Sequence, residues 1–179
     1  MRGRVQDGVE PMPARGGQPR RPLYSPAERA RRDASAWTLV QGILAPLQFL
    51  VFLVSLGLVL RTLATGEGAS AANASIVVKT LVLYAIMVTG SIWEKDVFGR
   101  YLFAPAFYWE DMVSMLVLAL HTAYLVALAT GALDTTGLML LALAAYASYA
   151  VNAAQFLLKL RAARLQASPH AVLFTEGAR

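Results

Sequence analysis

Residues 34–60 read ASAWTLVQGILAPLQFLVFLVSLGLVL, 27 positions without one Asp, Glu, Lys or Arg. A helix over that length is ~40 Å long, more than the ~30 Å hydrocarbon thickness of a bilayer. Working outward, the pattern recurs. Residues 112–133 are free of charge for 22 positions and residues 135–158 for 24, while residues 68–93 hold a single Lys79. Four such stretches in one chain define an all-α, polytopic integral membrane protein built as a four-transmembrane-helix bundle. The predicted spans are about 37–61, 75–93, 108–130 and 137–158.

Composition agrees. The 179 residues are 57% hydrophobic and 15% charged, with mean hydropathy +0.51; soluble domains carry about 25% charged residues. A formal charge of +5 would suit a nucleic-acid partner, but charges confined to segments between apolar runs do not make a binding stripe, so none is expected. The absence of cysteine excludes disulfides, thiolate metal sites, iron–sulfur clusters and a thiol nucleophile.

Residues 1–24 are rich in Arg, Pro and Gly without hydrophobic period, and read as a disordered basic tail. Over residues 25–36 a short interfacial helix is predicted: Ser25 and Glu28 have capping-box spacing, and Pro26 suits the first helical position. The bundle then occupies 37–158, with TGEGASAANAS (65–75) as a polar loop and EKDVFGRYLFAPAF (94–107) joining the second and third spans. Residues 159–179 form a basic, otherwise featureless tail. A cleaved signal peptide does not fit, because the first apolar run is too long and starts too late.

Fourteen of the 16 basic residues fall before the first span, between the second and third, or after the fourth; the others are Arg61 and Lys79. The positive-inside rule then places both termini in the cytoplasm, which requires an even number of spans. Trp37, Trp93 and Trp109 all fall at cytoplasmic ends, where indole N–H groups are expected to reach water. Lys79, about one turn inside the outer end of the second span, is expected to snorkel to the interface.

Polar groups inside spans are costly unless paired, and mark candidate sites. Gln41, Gln48 and Ser55 recur every seven residues on one face of the first span; Ser148, Asn152 and Gln155, four and three residues apart, share one face of the fourth. They fit interhelical hydrogen bonding, a polar pocket wall, or both. Pro46 frees a backbone carbonyl in the first span. Glu110, Ser114 and His121 share a stripe of the third span, with His121 ~16 Å deeper than Glu110. Glu94 closes the second span at a depth similar to Glu110 and Asp111, so three carboxylates gather near one interface beside Lys95 and Arg100. Helix-dipole complementation explains acids in a first turn equally well, and a packing role explains a lone His121. Tyr84, Tyr124, Tyr146 and Tyr149 would suit a flat aromatic ligand or a plain core. Asn73-Ala74-Ser75 matches a glycosylation triplet by chance.

Three stretches go further: PLYSPAERARRDASAWTLVQGILAPLQFLVFLVSL, KTLVLYAIMVTGSIWEKDVFGRYLFAPAFYWEDMVSMLVLALHTAYL and NAAQFLLKLRAARLQA. Together they resemble the 3-vinyl (bacterio)chlorophyllide hydratase family, in which older naming counts the vinyl as position 2. The resemblance covers about Pro22 to Ala167, with WEKDVFGRYLFAPAFYWED its most specific part; residues 1–21 read as an extension ahead of it. It implies a hydro-lyase of bacteriochlorophyll biosynthesis, adding water across the C3 vinyl group of chlorophyllide a or a bacteriochlorophyllide to give a 1-hydroxyethyl group. Implied partners are that pigment, the lipid bilayer and other enzymes of the pathway, in a bacterial inner (cytoplasmic or intracytoplasmic) membrane. No cofactor is implied beyond the Mg the substrate carries, and no protein metal site.

Such an addition needs a general acid and a group to take a proton from water. Glu94 or Glu110 is the expected donor, with Asp111 or its neighbour positioning water and His121 a less favoured base or a ligand to the pigment's Mg. Lys95 and Arg100 are expected to hold the pigment's propionate. Trp93, Trp109 and Tyr149 would flank the ring, with Gln41, Gln48, Asn152 and Gln155 completing the pocket. Two other readings fit the same residues: a non-catalytic pigment-binding or assembly protein, and a small transporter or channel subunit lined by Lys79, His121 and Asn152. The latter lacks the repeats and broken helices usual in transporters.

Overall fold

The computed structural model describes residues 23–173, with side chains through residue 164; of the tails predicted over 1–24 and 159–179, residues 1–22 and 174–179 lie outside the described residues. Five helices follow one another: α1 (Pro26–Ala34), α2 (Ala36–Thr65), α3 (Ala69–Phe98), α4 (Tyr108–Thr130) and α5 (Thr135–Leu173). Among the described residues, α2, α3, α4 and the Thr135–Arg164 part of α5 are long and apolar enough to cross a membrane. The described residues are all-helical, with four helices able to cross a membrane at their core.

The helix ends follow local chemistry. Ser25 Oγ accepts from the Glu28 N–H at 3.3 Å and the Glu28 carboxylate accepts from the Ser25 N–H at 2.7 Å, a complete capping box. Gly66, Glu67 and Gly68 make the whole turn between α2 and α3, the two glycines at φ +74° and +81° in the left-handed region that side chains resist. The polar loop predicted over 65–75 therefore shrinks to these three residues. SAANAS is small and polar but helix-competent, and it joins α3. Asp134 Oδ1 accepts from the Gly137 N–H at 2.8 Å and starts α5. The expected C-terminal tail is corrected too: α5 continues through KLRAARLQ to Leu173.

α2 packs along α3 and α4 along α5; α2 and α5 join these hairpins, while α3 and α4 touch sparingly. The core between them holds Phe52, Val59, Ile76, Leu83, Val117, Tyr124, Met139 and Tyr146. Lipid-facing apolar residues such as Leu39, Val54 and Leu140 stay exposed on the bundle surface, as expected when lipid is the solvent.

At the end carrying the α3–α4 connection, α1 folds back on α3. Arg31 Nε donates to the Val97 carbonyl at 2.8 Å and Ser35 Oγ to Asp96 at 2.5 Å. Tyr24 is no part of a tail: its ring is buried, stacked on Phe98 at 5.8 Å and tilted against Phe107 at 6.4 Å. The capping box predicts its own test. Ser25→Ala should lower stability by about 1 kcal/mol, seen as a fall in the melting temperature in detergent. The Ser25 hydrogen bonds hold the Glu28 carboxyl below its ordinary 4.5. A depressed folded-state value means the Glu28 part of the box is present above 4.5 and lost as pH falls through the lowered value. Ser25→Ala keeps the backbone N–H that Glu28 accepts from, so this loss should appear in both proteins and most of the difference between them should persist in acid.

Candidate active site

Two helix ends and one loop build the acidic cluster. Glu94 comes from the last turn of α3, and Glu110 and Asp111 from the first turn of α4; all three are buried. The connecting loop bends back over them. Phe103, at φ +59°, turns its N–H onto Asp111 Oδ2 at 2.7 Å, and the next N–H, of Ala104, reaches Glu94 Oε2 at 3.2 Å. A non-glycine residue held in that region is strained, and here the strain aims two consecutive amides at two carboxyl groups. Glu94 and Asp111 are thus brought together beneath consecutive loop amides. Two neighbouring carboxyls can share one proton, the protonated one donating to the other, so such a pair can hold and move a proton.

Glu110 is committed elsewhere. Lys159, in α5, forms an ion pair with Glu110 Oε2 at 2.5 Å and donates to the Ala106 carbonyl. Lys159 was missed in the sequence, where residues 159–179 read as tail. The available signal was its place four residues beyond Gln155, one turn further along the polar face of α5. An aromatic plug also went unseen. Phe107 is buried among Trp93 at 5.7 Å, Phe156 at 5.8 Å and Tyr24, with Lys159 Nζ 4.9 Å from its ring centre.

The other expected site residues divide into groups. Trp109 is 72% exposed, edge-on to Tyr108, and lies with Tyr101 on the outer surface of the loop and α4. Lys95 and Arg100 are exposed near them, Lys95 Nζ lying 5.4 Å from the Tyr101 ring centre and donating to the Gly99 carbonyl. Trp93 does not reach water as expected, since its indole N–H donates to Thr38 Oγ1 at 2.9 Å. Gln41 Nε2 donates to Thr89 Oγ1 at 2.8 Å, tying α2 to α3. Inside the bundle, Asn152 Nδ2 donates to Ser114 Oγ at 2.7 Å, while Gln48 and Gln155 each leave a buried carbonyl oxygen without a partner. Ser55 bonds both Ser75 and Tyr146, joining α2, α3 and α5.

His121 stands apart from the acids. It is fully buried, with Nδ1 2.8 Å from the Val117 carbonyl and Nε2 unpartnered. Lys79 contradicts the snorkelling expectation. Its side chain is 0% exposed and Nζ sits 3.8 Å from the centre of the Tyr149 ring, without a hydrogen-bond partner. The physical reason is helix rotation: Lys79 faces the bundle axis with Ile76, Thr80 and Leu83, so its stem has no outward path.

Fold and site together define a multi-pass membrane protein with a buried carboxyl pair at one end of a loosely joined α3–α4 seam. Residues 24–162 match the 2-vinyl bacteriochlorophyllide hydratase family. The chain belongs to that family. A 2-vinyl bacteriochlorophyllide hydratase of Cereibacter sphaeroides is 67% identical over 154 residues, spanning 86% of this chain and 95% of the relative. One of Rhodobacter capsulatus is 68% identical over 149 residues, 83% of this chain and 86% of the relative. No solved structure matches the chain.

Proposed function

We propose that this chain adds water to the vinyl group of a bacteriochlorophyllide, at C3 in current numbering, forming a 1-hydroxyethyl group in bacteriochlorophyll synthesis. It is a hydro-lyase. Family membership supports the substrate class, and the observation that carries the chemistry is the buried Glu94–Asp111 carboxyl pair, each member held by one of two consecutive loop amides. In the first step the pair's proton goes to the terminal vinyl carbon, the alkene π electrons forming the new C–H bond. Positive charge is left on the inner carbon, delocalised into the macrocycle. Water oxygen then bonds to that carbon, and the proton it sheds returns to the carboxyl pair. One water is consumed, the acid is regenerated, and nothing is oxidised. The proposed reaction therefore draws on no cofactor, and the pigment's own Mg stays a bystander.

The macrocycle is placed along the α3–α4 seam from the lipid side, flanked by Tyr108 and Trp109, with the vinyl group reaching Glu94 and Asp111. Exposed Lys95 and Arg100 stand where a propionate would leave the bilayer. Because Glu110 is paired with Lys159, it acts by fixing Asp111 beside it rather than as the donor. The basic residues of the loop and α1 support a reading in which this end and both termini face the cytoplasm of a bacterium, with the bundle in its inner or intracytoplasmic membrane near other enzymes of the pathway.

The test is direct. Purified protein incubated with 3-vinyl chlorophyllide should yield a blue-shifted pigment heavier by one water. Pigment that co-purifies unchanged would instead identify a carrier.

A further inference from the structure

Six buried polar atoms lack a partner among the described residues; apart from Thr62 Oγ1, near the far end of α2, they are Lys79 Nζ, His121 Nε2, Gln48 Oε1, Asn152 Oδ1 and Gln155 Oε1. They come from all four spanning helices. In hydrocarbon, an unpaired buried group of this kind costs several kcal/mol, and such groups persist where a ligand or a task requires them. Lys79 is the extreme case, an amine wholly buried at 0% exposure with the face of Tyr149 as its neighbour.

The atoms also form a sequence in depth. Gln155 and Asn152 lie on the α5 face that ends at Lys159 and the acids; Asn152 holds Ser114, one turn below Glu110. Tyr149, one turn further along α5, carries Lys79 over its ring, and Tyr146, one turn beyond that, packs against His121 at 5.9 Å. Phe52, one turn from Gln48, closes on Tyr149 at 5.0 Å.

Their chemistry selects the ligand. Three of the five are carbonyl acceptors, the lysine amine is a donor, and the imidazole nitrogen serves either way depending on its tautomer. An anion would meet three carbonyl oxygens, and a tetrapyrrole is far too large for gaps between packed helices. Water is the small ligand that donates to the acceptors and accepts from the amine. It is also the reactant that an alkene lying in lipid lacks.

We propose that the bundle interior holds a file of bound water running from Lys79 and His121 past Asn152 to the Glu94–Asp111 pair, and that this file supplies the water that adds to the vinyl group. Lys79 and His121 are its inner anchors. They position water and do not touch the pigment. The inference rests on the hydratase reading. It separates from that reading in the test, since a wild-type chain that hydrates no pigment overturns the reading, whereas the variants bear on the file alone.

Lys79→Met, in full-length protein in detergent, keeps the stem and removes the amine. Removal of an uncompensated buried polar group should leave the melting temperature unchanged or raise it. The expected kinetic result is a fall in kcat of about tenfold or more, as for a misplaced reactant, with KM for the vinyl pigment within about twofold. Gln48→Leu, on a different helix, should show the same split. Unchanged kcat in both variants, or a rise in KM alone, would overturn the proposal. So would a lower melting temperature with activity lost only in proportion to unfolded protein, which would make these groups structural.

Discussion

Glu94→Gln should cut vinyl hydration by about a hundredfold or more while pigment still binds, the loss typical of removing a general acid. The amide keeps the size of the side chain and can still accept from the Ala104 N–H, so the loop stays in place. What disappears is the acid proton that the proposed mechanism assigns to this side chain and Asp111. Asp111→Asn should lose as much, and the double variant should be little worse than either single one, because groups acting as a unit are not additive. Pigment affinity can be followed by titration of its absorbance, and rate by the hydrated product. Full activity in Glu94→Gln would remove the carboxyl pair from the mechanism.

The largest stability effect is expected at Lys159. Among the described residues it is the one ionic partner of Glu110, whose side chain is 8% exposed, and it also ties α5 to the carbonyl of Ala106. Lys159→Met leaves a buried carboxylate unpaired, which costs about 3 kcal/mol or more. The melting temperature in detergent should fall sharply, and Glu110→Gln made in the Lys159→Met background should recover much of the loss, since the uncompensated charge is then gone. Absence of that recovery would mean that the Ala106 contact, not the ion pair, holds the two helices together. Activity should fall with the ion pair as well, because Asp111 neighbours Glu110 on the same first turn of α4.

Much of this fold is written in charge-free length, a property a single sequence carries plainly. Residues 34–60 and their three counterparts could satisfy their backbones in lipid only as helices, and Ser25 with Glu28 marks its own helix start. Convergence of Glu94 with Glu110 and Asp111 was legible for the same reason: two consecutive spans must end at one interface. What stayed hidden depends on helix rotation and on distant contacts. Whether Lys79 looks outward or inward is set by how α3 packs, and nothing local to residue 79 encodes that. Tyr24 reads as tail until Phe98 and Phe107 are seen beside it. Lys159 reads as tail because its partner lies 49 residues away. The loop's grip on the acids turns on one strained residue, Phe103, which no spacing rule announces. Of the residues expected to bind pigment, the structure sorts Trp109, Lys95 and Arg100 to the surface and Gln48, Tyr149, Asn152 and Gln155 to the interior, a division that composition could not make.

The account turns on solvent protons and solvent oxygen reaching defined carbons of the alkene. Hydration run in deuterium oxide enriched in heavy oxygen, followed by mass spectrometry and carbon NMR of the product, tests this most directly. The predicted product carries one non-exchangeable deuterium on the terminal carbon and the heavy oxygen on the inner one. Heavy oxygen on the terminal carbon, or pigment recovered without either label, would contradict it.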